Sequence, residues 1–111
     1  MLARPHRITR GADYKAVVRR GVRGAGAHTV TYVTHTGDDR PARFGFIVSK
    51  QVGTAVVRNT IRRRLKAICA EALPSVRVGA DVVIRALPSS AGTDFQALRA
   101  EVRRSLEKKA S

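Results

Sequence analysis

Arg58, Asn59, Arg62, Arg63 and Lys66 recur at spacings of one, three and four within the segment Thr54–Leu73. Wound as an α-helix at about 100° per residue, they fall within an arc of about 140°. Guanidinium, amide and ammonium groups on one arc suit one chemistry above others, contact with phosphate oxygens, bidentate where arginine supplies it. A run of charge is ordinarily a solvated helix face. Here no Asp or Glu stands three or four positions from Arg58, Arg62 or Arg63, so these cations repel one another until an anion binds. That patterning favours a nucleic-acid face. The lead-in, Ser49-Lys50-Gln51-Val52-Gly53, joins a strand end, a glycine turn and a helix start. Free N–H groups there, with Lys50 close by, suit a phosphate. The glycine and lysine spacing of a P-loop is absent.

Hydrolytic chemistry of the chain's own finds no comparable support. Asp38 and Asp39 are the only adjacent carboxylates, and acids in a turn are commonly just solvated. His6, His28 and His35 have no acid arranged beside them, so surface donors are expected rather than general bases. A metal-dependent nuclease needs separated carboxylates converging on its ions, and only 8 acids are present. One cysteine, Cys69, excludes an internal disulfide and a thiolate zinc site. No catalytic residue and no protein-bound metal is therefore expected.

The elements that must position the basic arc belong to one small domain spanning residues 1–111. Hydrophobic residues make up 43% of it, enough for a core and too many for a disordered basic tail. The 22 Lys and Arg against 8 Asp and Glu give a net charge of +14, which calls for a polyanionic partner. The distribution is one-sided: Arg40–Ala70 holds eight basic residues and no acid, and the first 23 residues hold seven against Asp13 alone. No apolar run approaches a membrane span. The opening MLARPHRITR shows no apolar stretch behind its charges, so a cytoplasmic protein with no membrane partner is expected.

Along the chain, Thr9 is expected to cap a helix over Gly11–Arg20, stopped by Gly21. The glycine-rich stretch Gly21–Ala27 reads as a loop. His28–His35 alternates as a strand, with His28, Val30 and Tyr32 on one face. A turn at Thr36–Asp39 leads to a second strand, Ala42–Ser49, and the two are expected to pair as an antiparallel hairpin. Thr54 caps the basic helix, which buries Val57, Ile61, Leu65, Ile68 and Ala72 and ends before Pro74. Asp81–Leu87 is a further strand. Thr93 and Gln96 read as a capping box opening a last helix with Phe95, Leu98, Val102 and Leu106 on one side. A single sheet backed by helices buries these faces.

The segment FGFIVSKQVGTAVVRNTIRRRLKAICAE closely resembles the signature of the protein subunit of bacterial ribonuclease P. Ser49, Lys50, Gly53, Ala55, Val56, Arg58, Asn59, Ile61, Arg62, Arg63 and Lys66 fit that pattern. Arg7-Ile8, Asp13-Tyr14 and Gly21 match its N-terminal part, so the likeness spans nearly the whole chain. Thr60 stands where the family's Arg-Asn-Arg triplet ends in arginine, Gln51 where a lysine is usual, and Val18 where an aromatic is common. The resemblance implies an α+β fold, a two-layer αβββαβα sandwich with one mixed four-stranded sheet and a left-handed β-α-β crossover. It implies a subunit that helps a catalytic RNA cut the 5′ leader from precursor tRNA, one protein per RNA. Mg²⁺ would be bound mainly by the RNA subunit and substrate. Lys50, Arg58, Asn59, Arg62, Arg63 and Lys66 would contact the RNA. Tyr14, Val18, Val30 and Tyr32 would line a cleft for the leader. The rival is a basic ribosomal or double-stranded-RNA scaffold without a role in cleavage. A DNA-compacting protein and a membrane-active helix fit less well, for want of an apolar wedge or an interfacial Trp or Phe.

Overall fold

A computed structural model describes residues 2–111. Its elements run α1 (Gly11–Arg20), β1 (Val22–Ala25), β2 (Thr29–His35), β3 (Arg43–Ile47), α2 (Ala55–Ala72), β4 (Ala80–Ala86) and α3 (Phe95–Lys109). The four strands form one mixed sheet in the order β1-β2-β4-β3. This is the expected αβββαβα plan.

Three local expectations fail. Val22–Ala25 is a strand rather than part of a loop, pairing antiparallel with β2 from Val22 opposite Val33 to Ala25 opposite Val30. Its residues are mostly exposed and Gly24 interrupts them, so no alternation of apolar and polar side chains marks it in the sequence. The strands β2 and β3 do not form a hairpin. Instead β4 lies between them, antiparallel to β2 and parallel to β3. Its run Ala80–Ile84 is buried throughout, and a strand apolar on both faces stabilises most at the centre of a sheet. The caps also shift by one residue. Arg10, not Thr9, precedes α1 and makes no side-chain cap, while Asp94, not Thr93, caps α3 by accepting the Ala97 N–H at 2.8 Å. The Thr54 cap of α2 stands, its hydroxyl accepting the Val57 N–H at 3.4 Å.

Helices α2 and α3 cover one face of the sheet. Between them lies the larger core, including Phe44, Ile61, Leu65, Ile68, Cys69, Val82, Ile84, Leu98 and Val102. The expected stripe of α2 is the buried one, Ile61, Leu65, Ile68 and Ala72, with Val57 partly buried at its start. Helix α1 covers part of the other face, over Val17, Val30, Tyr32 and Val83.

Asp81 ties β3 to β4. Its carboxylate accepts two hydrogen bonds from Arg40, at 2.8 and 2.9 Å, and two from Arg43, at 3.0 and 2.9 Å. Arg43 and Asp81 are cross-strand partners. Burial pushes the Asp81 pKa up, but the hydrogen bonds from Arg43 and Arg40 outweigh it and hold the group below the ordinary carboxylate range. A depressed folded-state pKa contributes stability above the unfolded value of about 3.9, which is lost as pH falls through the folded value. Asp81→Asn should therefore cost about 3 kcal/mol at neutral pH, because two half-buried guanidinium groups lose their charge partner. It should also flatten the decline in stability below about pH 4, which urea melts at pH 7 and pH 3 would read directly.

Candidate nucleic-acid interface

The α2 ridge forms as its spacing predicts. Arg58 emerges beside the buried stripe and is itself half-buried, its Nε enclosed without a hydrogen-bond partner among the described residues. Arg62 donates to Asn59 Oδ1 at 3.3 Å and to the Val48 carbonyl at 3.4 Å. Arg63 donates to Thr60 Oγ1 at 3.4 Å. The Thr60 hydroxyl in turn donates to the Val56 carbonyl at 3.0 Å. The residue standing in for the triplet's third arginine thus braces Arg63 instead of adding a charge.

None of Arg58, Arg62, Arg63 and Lys66 is paired with a carboxylate among the described residues. Most of the acids are engaged elsewhere. Asp81 and Asp38 hold Arg40, Asp81 and Asp13 hold Arg43, and Glu71 holds Arg99 and Arg103 on the opposite flank of α2. Glu101 accepts the His28 N–H at 3.1 Å and the Thr29 hydroxyl at 2.6 Å. The arginines that hold the fold together and the arginines of the ridge are different sets.

Beside the ridge runs a groove on the α1 face of the sheet. Tyr14, Lys15, Val18, Arg19, Ile47 and Arg85 enclose about 450 Å³ of it. Ile47 and Arg85 also border the adjoining hollow, of about 510 Å³, beside Lys50. Lys50 therefore belongs to the groove's end and not to the helix ridge. Tyr14 lies flat because Gly45 has no side chain: a Cβ there would come within 2.5 Å of the ring. Its hydroxyl accepts the Phe46 N–H at 3.2 Å. The same ring borders a narrow cleft with Arg7, Phe46, Arg62 and Lys66, so Tyr14 joins groove to ridge.

Two of the four expected cleft residues do not line it. Tyr14 and Val18 do, but Val30 and Tyr32 are only 5% and 8% exposed and lie in the core beneath. The Arg85 guanidinium sits 6.0 Å from the centre of the Tyr32 ring, in reach of a cation–π contact. Periodicity and motif spacing do not single out Arg85, Ile47, Lys15 or Arg19. Arg85 alone carries a signal, as the one basic residue inside the apolar run DVVIRAL.

The histidines contact neutral groups: His6 donates to the Ala42 carbonyl, His35 to the Lys109 carbonyl, and His28 lies against the Ser89 hydroxyl, each at 2.9 Å. Among the described residues no three His, Cys, Asp or Glu side chains gather as metal ligands. Among the described residues no helix is long and apolar enough to cross a membrane.

A one-domain α+β scaffold that offers unpaired cations on one ridge, beside a partly apolar groove, has the character of a binding protein for a polyanion. The family model for ribonuclease P matches residues 2–110. The chain is 50% identical over 102 residues to the ribonuclease P protein component of Clavibacter michiganensis, covering 92% of this chain and 90% of that one. It is 46% identical over 107 residues to that of Acidothermus cellulolyticus, covering 96% and 89%. In fold it is similar to the ribonuclease P proteins of Thermotoga maritima (TM-score 0.84, 20% identity, 95% and 98% of the chains) and Staphylococcus aureus (TM-score 0.82, 24% identity, 92% and 93%). The chain belongs to the ribonuclease P protein family, the protein components of a ribonucleoprotein endoribonuclease of tRNA processing, and its partner is the ribonuclease P RNA.

Unpaired cations on one ridge destabilise the free protein, and a bound anion relieves them. Sulfate should therefore raise the melting midpoint of the wild type, and raise it less in Arg62→Ala/Arg63→Ala. Thermal melts in sulfate, compared with chloride at equal ionic strength, check this.

Proposed function

We propose that the α2 ridge of Arg58, Asn59, Arg62, Arg63 and Lys66 grips the ribonuclease P RNA. In the same reading the groove across the α1 face holds the 5′ leader of precursor tRNA, one protein serving each RNA. The observation that carries this is the pairing pattern: Asp13, Asp38, Asp81 and Glu71 hold arginines outside the ridge, and no carboxylate among the described residues pairs with the ridge. Lys50, at the groove's end, bridges the two regions and faces the phosphates of the leader.

The groove suits a single strand. Tyr14 and Val18 offer apolar surface against which unpaired bases lie, and Lys15, Arg19 and Arg85 supply cations for the backbone. Neither depends on base identity, as a leader of variable sequence requires. Val30 and Tyr32 support the groove from below, Tyr32 by seating Arg85.

The chain's carboxylates do not fit a Mg²⁺ site. Both oxygens of Asp81 are occupied by guanidinium groups, and the other acids are dispersed or paired. In this reading Mg²⁺ belongs to the RNA subunit and substrate, and the protein's contribution is to bind and orient both.

Removing one phosphate-binding cation should flatten the dependence of log K on log salt by about 0.9. Arg62→Ala/Arg63→Ala should thus lower the slope for the ribonuclease P RNA by about 2, and an unchanged slope would remove the ridge from the RNA interface. Tyr14→Ala should weaken binding of long-leader substrate to the holoenzyme by about 1–3 kcal/mol and leave leaderless tRNA unaffected. Equal effects on both would dismiss the groove. Mixing the protein with ribonuclease P RNA at low Mg²⁺ should restore leader removal; RNA binding without stimulated cleavage is the behaviour of the ribosomal-type scaffold instead.

A further inference from the structure

A second electropositive groove lies at the other edge of the sheet. The α2 ridge runs beside β3, where Arg62 reaches the Val48 carbonyl. Strand β1 is the opposite edge, three strand spacings or about 14 Å away. There Arg23, Arg104, Lys108 and Lys109 stand around a hollow of about 510 Å³, floored by Gly24, Ala25, Gly26 and Ala27.

None of these four cations is paired with a carboxylate among the described residues. The one acid in the lining, Glu101, is drawn away from them by the His28 N–H and the Thr29 hydroxyl. The end of α3 is also held in place. The Lys109 stem lies over Gly24, its carbonyl accepts from His35 at 2.9 Å, and the Ala110 carbonyl accepts the Arg77 N–H at 2.7 Å. The charges are therefore presented on a fixed element, which lowers the ordering cost of binding.

The lining selects the kind of partner. Four cations over a floor of glycine and alanine let a phosphate backbone approach the main chain closely, and no aromatic ring is present to stack a base. A protein strand adding to β1 is disfavoured, because the edge is only four residues long and two of its flooring residues are glycines. The groove lies at the β1 edge beside the end of α3, and shares no lining residue with the Tyr14 groove.

We propose that the β1–α3 groove is a second RNA-binding surface that grips the phosphate backbone of a segment of the ribonuclease P RNA other than the one held by α2. The protein then clamps two parts of one folded RNA, one at each edge of its sheet. This rests on the reading of α2 as the first point of attachment.

The test measures affinity for full-length ribonuclease P RNA between 50 and 200 mM salt for wild type, Arg104→Ala/Lys108→Ala, Arg62→Ala/Arg63→Ala and the combined variant. Arg104 and Lys108 are exposed, and alanine is a favourable helix residue, so the fold should hold. The α3 variant should lower the salt slope by about 2, so that the fall in affinity across this range shrinks about tenfold. The combined variant should lower it by the sum, as independent sites do. A wild-type slope for the α3 variant beside a reduced slope for the α2 variant overturns the second surface alone; wild-type slopes for both overturn the α2 reading as well. Arg104→Gln/Lys108→Gln removes the charge and keeps the stems, so a defect confined to the alanine variant also overturns the proposal. So does a defect seen only when preassembled holoenzyme binds precursor tRNA, which would hand the groove to the substrate.

Discussion

With 8 carboxylates against 22 lysines and arginines, the position of each negative charge determines which cations are free. Asp81 matters most. Buried at the join of β3 and β4, it accepts four hydrogen bonds from two arginines. A charge taken out of water at such a site is tolerable only when its hydrogen-bonding capacity is filled. The same arrangement uses up a carboxylate that would otherwise be free to neutralise a binding surface. Glu71 does the equivalent between α2 and α3, on the flank of α2 turned away from the ridge. Asp81 inside and Glu71 at the surface thus both join elements of the fold, and neither neutralises the ridge.

How legible the molecule is depends on whether the information is local. The stripe of Ile61, Leu65, Ile68 and Ala72 and the arc of Arg58, Arg62 and Arg63 follow from helical periodicity alone, because one helix fixes both. Strand β1 escapes pattern reading because Val22-Arg23-Gly24-Ala25 carries no alternation, although the residues it pairs with, Tyr32 and Thr31, are close in sequence. The position of β4 between β2 and β3 is a tertiary choice. Adjacent strands in sequence favour a hairpin, but the doubly buried run Ala80–Ile84 outweighs that preference. The ion cluster of Asp81 with Arg40 and Arg43 joins residues about forty positions apart, beyond any spacing rule.

The groove shows the same division. Tyr14 and Val18 reach it because they stand at the margin of the packed face of a short helix, partly buried against the sheet. Val30 and Tyr32 share a face of β2, as alternation requires, but whether that face is open or covered depends on α1 and Arg85. Arg85 lies opposite Val30 in the register and carries its guanidinium over the Tyr32 ring. The aromatic surface expected to meet a base is covered by a cation suited to a phosphate, so the groove is more electropositive and less aromatic than its residue types suggest.

Tyr14 links the two regions mechanically as well as chemically. Its ring borders the groove on one side and the cleft of Arg62 and Lys66 on the other, and it fits only because position 45 is glycine. A methyl group at that position would have to displace the ring, and with it the wall common to both surfaces. Ridge and groove are therefore held in a fixed spatial relation by packing. On the proposed reading, orienting a substrate strand against a second RNA needs that rigidity, because an orientation conveyed through a flexible joint would be dissipated as entropy.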